Sequence, residues 1–442
     1  MKRLRNPFRL IPLLFLCAIA IGTLVLSLPV ATADGTRAPL LTALFTATSA
    51  VAVTGLIVVD TPTYWSTFGQ AAILAMFQLG GLGIMTAASL LGLMAGRGFG
   101  LGDRLAIQVE RNRLNLLAAP ALLRMILTIT LIAEALVATV LALRFATHWN
   151  MNPGQAAWHG LFHSVSAFNN AGFSTFSDSL VGFRHDWMIL VPIAVAVVFS
   201  SLGFPVMEDW RGHGWRWRQW TLHSKMTLSG TILLLVLGFV AFLGMEWTNP
   251  DTLGPMDTGS KLLNAAFHSV MPRTAGFNSL DIGAYRDETL VVQYMLMFIG
   301  GGSAGTAGGI KITTFMVLLA IVSAEVLRRR DAGMYRRRFG HAMERQALTV
   351  ASLALMLVLG ATMYIASVTS IAIEEVLFET ISAFATVGLS TGITARLPAS
   401  ALVVLVLLMF IGRVGTITAA TALAMAGGDR PYRYPQENPI VG

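Results

Sequence analysis

Cysteine and charge are both scarce in this chain of 442 residues. The single cysteine, Cys17, excludes an intramolecular disulfide and any metal site built from several thiolates. Charged residues make up only 12% of the chain, whereas soluble domains carry about a quarter. Since hydrophobic residues make up 55%, the polar surface is too small to face water on all sides. The composition therefore predicts an integral membrane protein that contacts the lipid bilayer.

Basic residues outnumber acidic ones, and the formal net charge is +8. A basic protein can bind nucleic acid, but in a membrane protein the same excess follows from the enrichment of lysine and arginine in cytoplasmic loops. We therefore expect no nucleic-acid partner and use the basic clusters to assign topology. The clusters lie at 2–9, 97–113, 211–225, 328–345 and 430–433.

Long apolar runs alternate with shorter apolar segments. A membrane-spanning helix needs about 20 apolar residues, so only the long runs can span. The first run resembles a signal peptide, but it exceeds the usual apolar stretch of about 7–15 residues and is read as a retained helix. The long runs lie at about 8–32, 68–95, 117–147, 185–207, 222–246, 288–324, 346–370 and 399–426. The short segments lie at about 38–51, 154–168, 259–271 and 372–385.

A unit of long helix, short re-entrant helix, glycine turn and long helix recurs with a period of roughly 100 residues, which is the signature of an internal repeat. The predicted fold is an all-α integral membrane protein of four consecutive helix–pore helix–helix repeats, with eight transmembrane helices and four re-entrant pore helices around a pseudo-fourfold central pore. The repeats are placed at 1–96, 97–210, 211–330 and 331–442, the last including a C-terminal tail. With two crossings per repeat, every basic cluster falls on one side. Both termini are therefore predicted to be cytoplasmic.

Each short segment ends in a turn that contains glycine. Irregular backbone at membrane depth is tolerated only where protein buries it or where it lines a water-filled cavity. Four such turns in equivalent positions predict a shared pore, in which backbone carbonyls replace the hydration shell of a cation. One glycine alone would more simply indicate helix packing. The predicted filter residues are Val53, Thr54, Gly55, Asn170, Ala171, Gly172, Thr274, Ala275, Gly276, Thr386, Val387 and Gly388.

The apolar run 288–324 is too long for one straight helix. Some 37 residues would extend about 55 Å, against a hydrocarbon core of about 30 Å. Its glycine-rich centre predicts a break and a flexible loop across the ion path; a glycine-lined kink without gating is the alternative. The predicted gate residues are Gly300, Gly301, Gly302, Ser303, Ala304, Gly305, Thr306, Ala307, Gly308, Gly309, Lys311 and Arg413. The nominal GxGxxG within this loop lacks the surrounding strand–turn–helix unit, so no organic cofactor is expected in this chain.

Several charged side chains lie inside apolar runs, where charge marks function by default. Arg413 is expected to face the cavity or to bind loop carbonyls and hold the gate closed; a buried pair with a carboxylate such as Glu134 is the alternative. Lys311 is expected to tether the loop or to cap a half-helix, and snorkelling is the alternative. Arg273 and Asp281 are expected at the outer mouth. The roles of Glu134 and of the arginine clusters 328–330 and 336–338 stay open.

Three stretches carry a family resemblance, namely TATSAVAVTGL at 46–56, PRTAGFN at 272–278 and GGGSAGTAGGIK at 300–311. They resemble the Ktr/Trk/HKT superfamily of K⁺ transporters, nearest to the KtrB-type and then the TrkH-type membrane subunits, over essentially the whole chain. The resemblance implies potassium uptake across the bacterial inner membrane through one filter glycine per repeat. It also implies a homodimer, in which the tail 432–442 lies at the interface. A nucleotide-binding cytoplasmic ring subunit of the KtrA type is a further implied partner.

Ion selectivity and coupling are left open by the sequence. Only Thr386-Val387-Gly388 resembles the start of a K⁺-channel filter signature, so discrimination against Na⁺ is expected to be weaker than in tetrameric channels. The sequence does not determine whether transport depends on Na⁺ or which ligand regulates opening. It also leaves open whether flux is channel-like or coupled. The nearer alternative is a TrkH-like or Na⁺-conducting member of the superfamily, and the remote one is a secondary transporter with broken helices. No catalytic pair indicates an enzyme.

Overall fold

The computed structural model describes residues 7–95 and 119–415. The predicted C-terminal tail and the basic cluster at 97–113 lie outside the described residues. Helices dominate, and the only strands of the described chain are β1 (Gly333–Met334) and β2 (Arg337–Arg338), an antiparallel hairpin.

The α-helices are of two kinds, long apolar ones and short ones. In chain order they are α1 (Pro7–Leu26), α2 (Leu40–Val51), α3 (Thr61–Tyr64), α4 (Thr67–Ala95), α5 (Ala119–Thr147), α6 (Pro153–Asn169), α7 (Trp187–Ser201), α8 (Phe204–His213), α9 (Leu222–Glu246), α10 (Thr258–Val270), α11 (Asp287–Phe298), α12 (Ile312–Val326), α13 (His341–Val368), α14 (Ile373–Ala385) and α15 (Ala399–Phe410), which ends in a π-helical turn, Ile411–Gly415. Short 3₁₀ turns lie at Pro29–Ala31, Val181–Phe183, Trp217–Gln219, Ile282–Ala284 and Thr394–Arg396.

The short helices α2, α6, α10 and α14 confirm the four short apolar segments predicted as helices. Local signals fix their starts: Asn152 accepts a bond from Gly154 N ahead of α6, and Asp257 accepts one from Ser260 N ahead of α10. Their ends are set by left-handed backbone, as at Asn170 after α6 and Thr386 after α14. The core forms around these helices. One phenylalanine at the equivalent position of each is buried, namely Phe45, Phe162, Phe267 and Phe378.

Three described helices are long and apolar enough to cross a membrane, namely Leu123–Thr147, Leu222–Glu246 and His341–Val368. Helices α7 and α8 would make a fourth span if counted together, although they meet at a bend of 90°. Gly203 lies at this bend with φ of +84°, a conformation that glycine adopts without steric cost. The sequence predicted a span over 185–207 but not the bend.

The apolar run 288–324 breaks as predicted. Helix α11 ends at Phe298 and α12 begins at Ile312, so the glycine-rich segment between them is not helical. Its two ends pair with each other: Gly300 N donates to Ile310 O at 2.9 Å, and Ile312 N donates to Gly301 O at 3.0 Å. The segment therefore forms a closed loop, residues 299–311, whose ends are held together.

Candidate functional site

Four glycines that follow the short helices meet in a ring. A β-carbon added to Gly172 would lie 2.7 Å from Cα of Gly276, and one added to Gly276 would lie 3.3 Å from Cα of Gly388. One added to Gly388 would lie 3.0 Å from Cα of Gly55, and one added to Gly55 would lie 3.2 Å from Cα of Gly172. Each glycine thus faces the next in chain order, and the fourth faces the first. A side chain at any of the four positions would collide with the neighbouring loop.

Left-handed backbone occurs twice in each of the four loops. The glycines have φ of +94°, +70°, +73° and +93° at Gly55, Gly172, Gly276 and Gly388. Two positions earlier, φ is 55°, 58°, 72° and 50° at Val53, Asn170, Thr274 and Thr386. Positive φ is costly for residues other than glycine, and it persists only where the surroundings enforce it. The recurrence in four unlike sequences indicates that the shape of the loop itself is the preserved feature.

Backbone carbonyl oxygens line the contacts between the loops. A β-carbon added to Gly172 would lie 2.9 Å from Ala275 O, and one added to Gly276 would lie 2.7 Å from Val387 O. Ala171 O and Thr54 O approach Gly55 and Gly388 in the same manner. One carbonyl from the equivalent position of each loop therefore borders the ring. Oxygen atoms in such an arrangement are the ligands that replace water around an alkali cation.

Serine side chains behind the ring hold three of the loops. Ser49 Oγ accepts from Gly55 N at 3.1 Å, and Ser382 Oγ accepts from Gly388 N at the same distance. In the second loop Ser166 Oγ donates to Phe173 O at 2.8 Å. These bonds fix the backbone of the loops from the side that faces the short helices.

A second set of contacts joins each later short helix to the segment that follows its glycine. His163 Nε2 lies 2.9 Å from Ser174 Oγ, and His268 Nε2 lies 3.1 Å from Ser279 Oγ. At the equivalent position of the fourth helix, Glu379 Oε1 accepts from Ser390 Oγ at 3.2 Å and also from Thr394 Oγ1. Each pair is separated by 11 residues. The matching positions of His163 and His268 on the short helices predict hydrogen bonds that support the turns, with metal binding as the alternative; the serine partners were not predicted.

A cavity of about 580 Å³ lies on one side of the ring, and all four glycines line it. Three aspartates, Asp60, Asp178 and Asp281, also line this cavity. Asp281 was expected to flank the third glycine turn, and it lines this cavity together with Gly276. Carboxylates around a cavity raise the local concentration of cations. In the described part of the chain no cluster of three or more His, Cys, Asp or Glu side chains could hold a metal ion.

The loop 299–311 packs against the opposite side of the ring. A β-carbon on Gly309 would lie 3.2 Å from Cβ of Ala385, and one on Gly308 would overlap Thr386 Oγ1. At its other side, Gly302 N donates to Ser201 O at 2.7 Å, next to the bend between α7 and α8. The loop therefore extends from the fourth glycine turn to the end of α7.

Three cationic side chains bind carbonyl oxygens of this loop. Lys311 Nζ donates to Ala307 O at 2.5 Å, and Arg413 Nη1 donates to Thr306 O. Arg273 Nη2 lies 3.4 Å from Gly300 O. Arg413 is buried, and its Nε and Nη2 find no partner among the described residues. The predicted contact of Arg413 and Lys311 with the loop is observed.

One side chain is placed differently from its expectation, and one whose role was left open finds its partners. Arg273 is buried and contacts the loop instead of lining the cavity, because its guanidinium lies within reach of Gly300 O. Glu134 accepts from Gln78 Nε2 and Asn169 Nδ2, each at 3.1 Å. Arg413 is not among its partners. Glu134 therefore supports the second glycine turn, since Asn169 directly precedes Asn170.

A family profile described as TrkH, cation transport protein, matches residues 4–429. The Ktr system potassium uptake protein B of Bacillus subtilis (strain 168) is 36% identical over 439 residues, covering 99% of this chain and 97% of that protein. The protein of the same name from Vibrio alginolyticus is 36% identical over 450 residues, covering 98% and 94%. The potassium/sodium uptake protein NtpJ of Enterococcus hirae is 34% identical over 447 residues, covering 100% and 98%.

The fold is also similar to a solved structure. The crystal structure of the potassium transporter TrkH from Vibrio parahaemolyticus matches with a TM-score of 0.74 and 19% sequence identity. The match covers 94% of this chain and 84% of that one. At this level of identity the likeness concerns the fold.

Proposed function

The chain belongs to the TrkH family of cation transport proteins, and on that premise we propose that it takes up K⁺ across the bacterial inner membrane through the four-glycine ring. It is a multi-pass membrane transporter and not an enzyme. The observation that carries the proposal is the closed ring of Gly55, Gly172, Gly276 and Gly388, each pressed against the next loop. The relatives named above as potassium uptake proteins support K⁺ as the ion.

The ring would select the ion through its backbone. Carbonyl oxygens from Thr54, Ala171, Ala275 and Val387 border it, and they would coordinate a dehydrated cation in place of water. The aspartate-lined cavity would concentrate cations at the outer entrance. With four pore repeats, eight spanning helices and both termini in the cytoplasm, as predicted from the sequence, this cavity would open outside the cell.

The loop 299–311 would serve as the gate. It lies against the inner side of the ring, where Gly308 adjoins Thr386. Two cationic side chains, Arg413 and Lys311, fasten it through neighbouring carbonyls, and their positive charge would oppose the passage of cations. Opening would require these bonds to be released.

A cytoplasmic ring subunit and a second copy of the chain are the partners we propose. Relatives that carry the name of a Ktr system support a multi-subunit assembly. The regulatory subunit would supply nucleotide binding, for which residues 7–95 and 119–415 offer no strand–turn–helix unit. In the homodimer, the tail 432–442 would contribute to the interface.

A second candidate is a transporter that conducts Na⁺ as well as K⁺. The similarity to a potassium/sodium uptake protein favours it, as does the presence of the TVG sequence in the fourth loop alone. Na⁺ could also act as an activator without being conducted.

The test is expression in a bacterial host that lacks its own potassium uptake, with and without a Ktr-type ring subunit. Cell K⁺ and Na⁺ are measured at limiting external K⁺, and an empty vector is the control. We expect cell K⁺ and growth to recover when chain and ring are both present. Unchanged K⁺ with the protein in the membrane would overturn the proposal, and accumulation of Na⁺ alone would favour the second candidate.

A further inference from the structure

Two basic segments that are distant in sequence meet at the ends of the spanning helices. Trp217, in the link before α9, contacts Tyr335 at the tip of the β-hairpin, with ring centroids 6.1 Å apart and an interplanar angle of 73°. The link leads into α9 and the hairpin into α13, and both helices are long enough to span. The contact therefore lies close to where these helices leave the membrane. We call residues 211–220 and 328–339 together the hairpin surface.

The hairpin surface carries a dense positive charge. Its arginines are all exposed: Arg211, Arg216, Arg218, Arg328, Arg329, Arg330, Arg336, Arg337 and Arg338. None of them forms an ion pair within the part of the chain that the structure describes. Only Glu325 and Asp331 lie close in sequence to the six arginines of the hairpin segment. Such a surface attracts anions.

The backbone beneath these arginines is held in place. Ala332 and Phe339 are buried in a cluster that includes Met226 of α9, and Phe339 N donates to Ala332 O at 2.8 Å. In the other segment Trp220 is buried, and its Nε1 donates to Gly214 O at 2.9 Å. The charged side chains are therefore displayed on a fixed frame.

The hairpin turn is strained. Tyr335 and Arg336 have φ of 51° and 62°, values that a tight hairpin turn requires and that Asn and Gly adopt most easily. Tyrosine and arginine in this conformation cost free energy, and such strain persists only where the surroundings or the function demand it. In this turn Tyr335 contacts Trp217, and Arg336 is exposed.

Exposed indoles distinguish this surface from a purely charged one. Trp215 is 83% exposed and Trp217 38%, and Trp210, which directly precedes the surface in sequence, is 45% exposed. Tryptophan is enriched at the level of lipid headgroups, where its ring is amphipathic. Arginine binds phosphate oxygens with a two-pronged donor geometry. Aromatic rings and unpaired arginines at the ends of spans fit phosphate groups within a membrane better than a soluble acidic protein.

We propose that the hairpin surface is a binding site for the phosphate headgroups of anionic phospholipids. The arginines of the link and of the hairpin bind the phosphates, while the exposed indoles insert at headgroup level. The Trp217–Tyr335 contact fixes the spacing between the two basic segments. The site lies outside the proposed filter and gate and does not depend on the ion that is transported.

The test measures binding of fluorescent phosphatidylglycerol and phosphatidylcholine to the full chain in detergent. The variant is Arg336→Gln/Arg337→Gln/Arg338→Gln, and the matched control, which removes the same charge elsewhere, is Arg37→Gln/Arg184→Gln/Arg286→Gln. Three basic residues near an anionic surface predict a loss on the order of a hundredfold. We expect at least tenfold weaker phosphatidylglycerol binding in the hairpin variant and little change in the control. Equal loss in both variants, or no loss in the hairpin variant, overturns the proposal.

Two further arms separate the alternatives. Tyr335→Gly keeps all the arginines, relaxes the turn and removes the contact with Trp217, so phosphatidylglycerol binding should weaken severalfold without loss of charge. Unchanged lipid binding in Tyr335→Gly would contradict a binding site whose spacing the Trp217–Tyr335 contact fixes. This measurement decides the question even if the triple arginine variant does not fold. Inorganic phosphate and an acidic soluble protein are then added as competitors. Displacement of the lipid by phosphate at equal concentration would identify a soluble-anion site, and preference for the acidic protein would identify a protein interface; either result overturns the lipid assignment.

Discussion

Arg413 Nη1 donates a hydrogen bond to the backbone carbonyl of Thr306, a residue 107 positions earlier in the chain. The bond joins the π-helical turn after α15 to the middle of the loop 299–311. Lys311 binds the next carbonyl, that of Ala307. Since α15 follows the fourth glycine turn, these bonds tie the position of the loop to that turn.

Replacing Arg413 by glutamine should raise basal ion flux. A hydrogen bond from a charged donor contributes about 1.5–3 kcal/mol, so its loss should shift the equilibrium toward an open loop by roughly tenfold to a hundredfold. The measurement is ⁸⁶Rb⁺ uptake into proteoliposomes that contain the chain without a ring subunit. Arg396→Gln is the control, since that side chain is 65% exposed and pairs with Glu375 at 3.4 Å. Unchanged flux in correctly assembled Arg413→Gln would contradict a gating role.

Replacing Glu379 by alanine should loosen the fourth filter loop. Ser390 and Thr394 would lose their common buried acceptor, and a buried donor left without a partner costs about 1–3 kcal/mol. We expect a lower melting temperature in detergent and a weaker preference for K⁺ over Na⁺. Glu379→Gln keeps an acceptor oxygen and should lie between alanine and wild type. Glu374→Ala, at an exposed position of the same helix, is the control; an equal effect there would refute a specific role for Glu379.

Asp186 should make stability depend on pH at the start of α7. Burial alone would raise its pKa, but hydrogen bonds from Arg144 and Trp149, the charge of Arg144 and the Met188 N–H together hold the pKa below its ordinary value of 3.8. Because the pKa of Asp186 is lower in the folded state than in the unfolded state, its charge stabilises the fold at pH values above the unfolded-state pKa. This contribution is lost as the pH falls through the folded-state pKa.

The corresponding measurement is the melting temperature of wild type and of Asp186→Asn in detergent, between about pH 6 and pH 3. Wild type should melt higher at pH 6, and the difference should shrink as the pH falls below about 4. A difference that stays constant over this range would show that the charge of Asp186 is not responsible.

Periodicity and glycine placement were enough to predict much of this molecule. The short helix expected at about 154–168 is observed at Pro153–Asn169, because apolar length and a Pro-containing start are local signals. The break within 288–324 was equally predictable, since ten residues rich in glycine cannot continue a helix through a membrane. The meeting of Gly55 with Gly388 and Gly172 agrees with the expectation of a shared axis.

Other features depend on the direction that a side chain or a helix takes in the folded protein, and the spacing of residues along the sequence does not encode that direction. Arg273 was expected at the outer mouth because it adjoins a filter turn, yet its side chain turns toward Gly300 O. The bend at Gly203 and the hairpin turn at Tyr335 were not predicted. At the bend, Gly203 packs against the loop at Ser303 O, a contact between segments distant in sequence. The hairpin turn uses two residues that normally avoid positive φ.

The central claim is that the ring of four glycines selects K⁺, and competition of K⁺ and Na⁺ against ⁸⁶Rb⁺ uptake in proteoliposomes tests it most directly. The variant is Gly388→Ser, where φ is +93° and a β-carbon would overlap Thr54 O. The control is Gly392→Ser, where φ is +89° but the space around the position is open. The account predicts that wild type and Gly392→Ser are blocked far better by K⁺ than by Na⁺, and that Gly388→Ser loses most of this preference. Equal preference for K⁺ in folded Gly388→Ser and wild type would contradict the account.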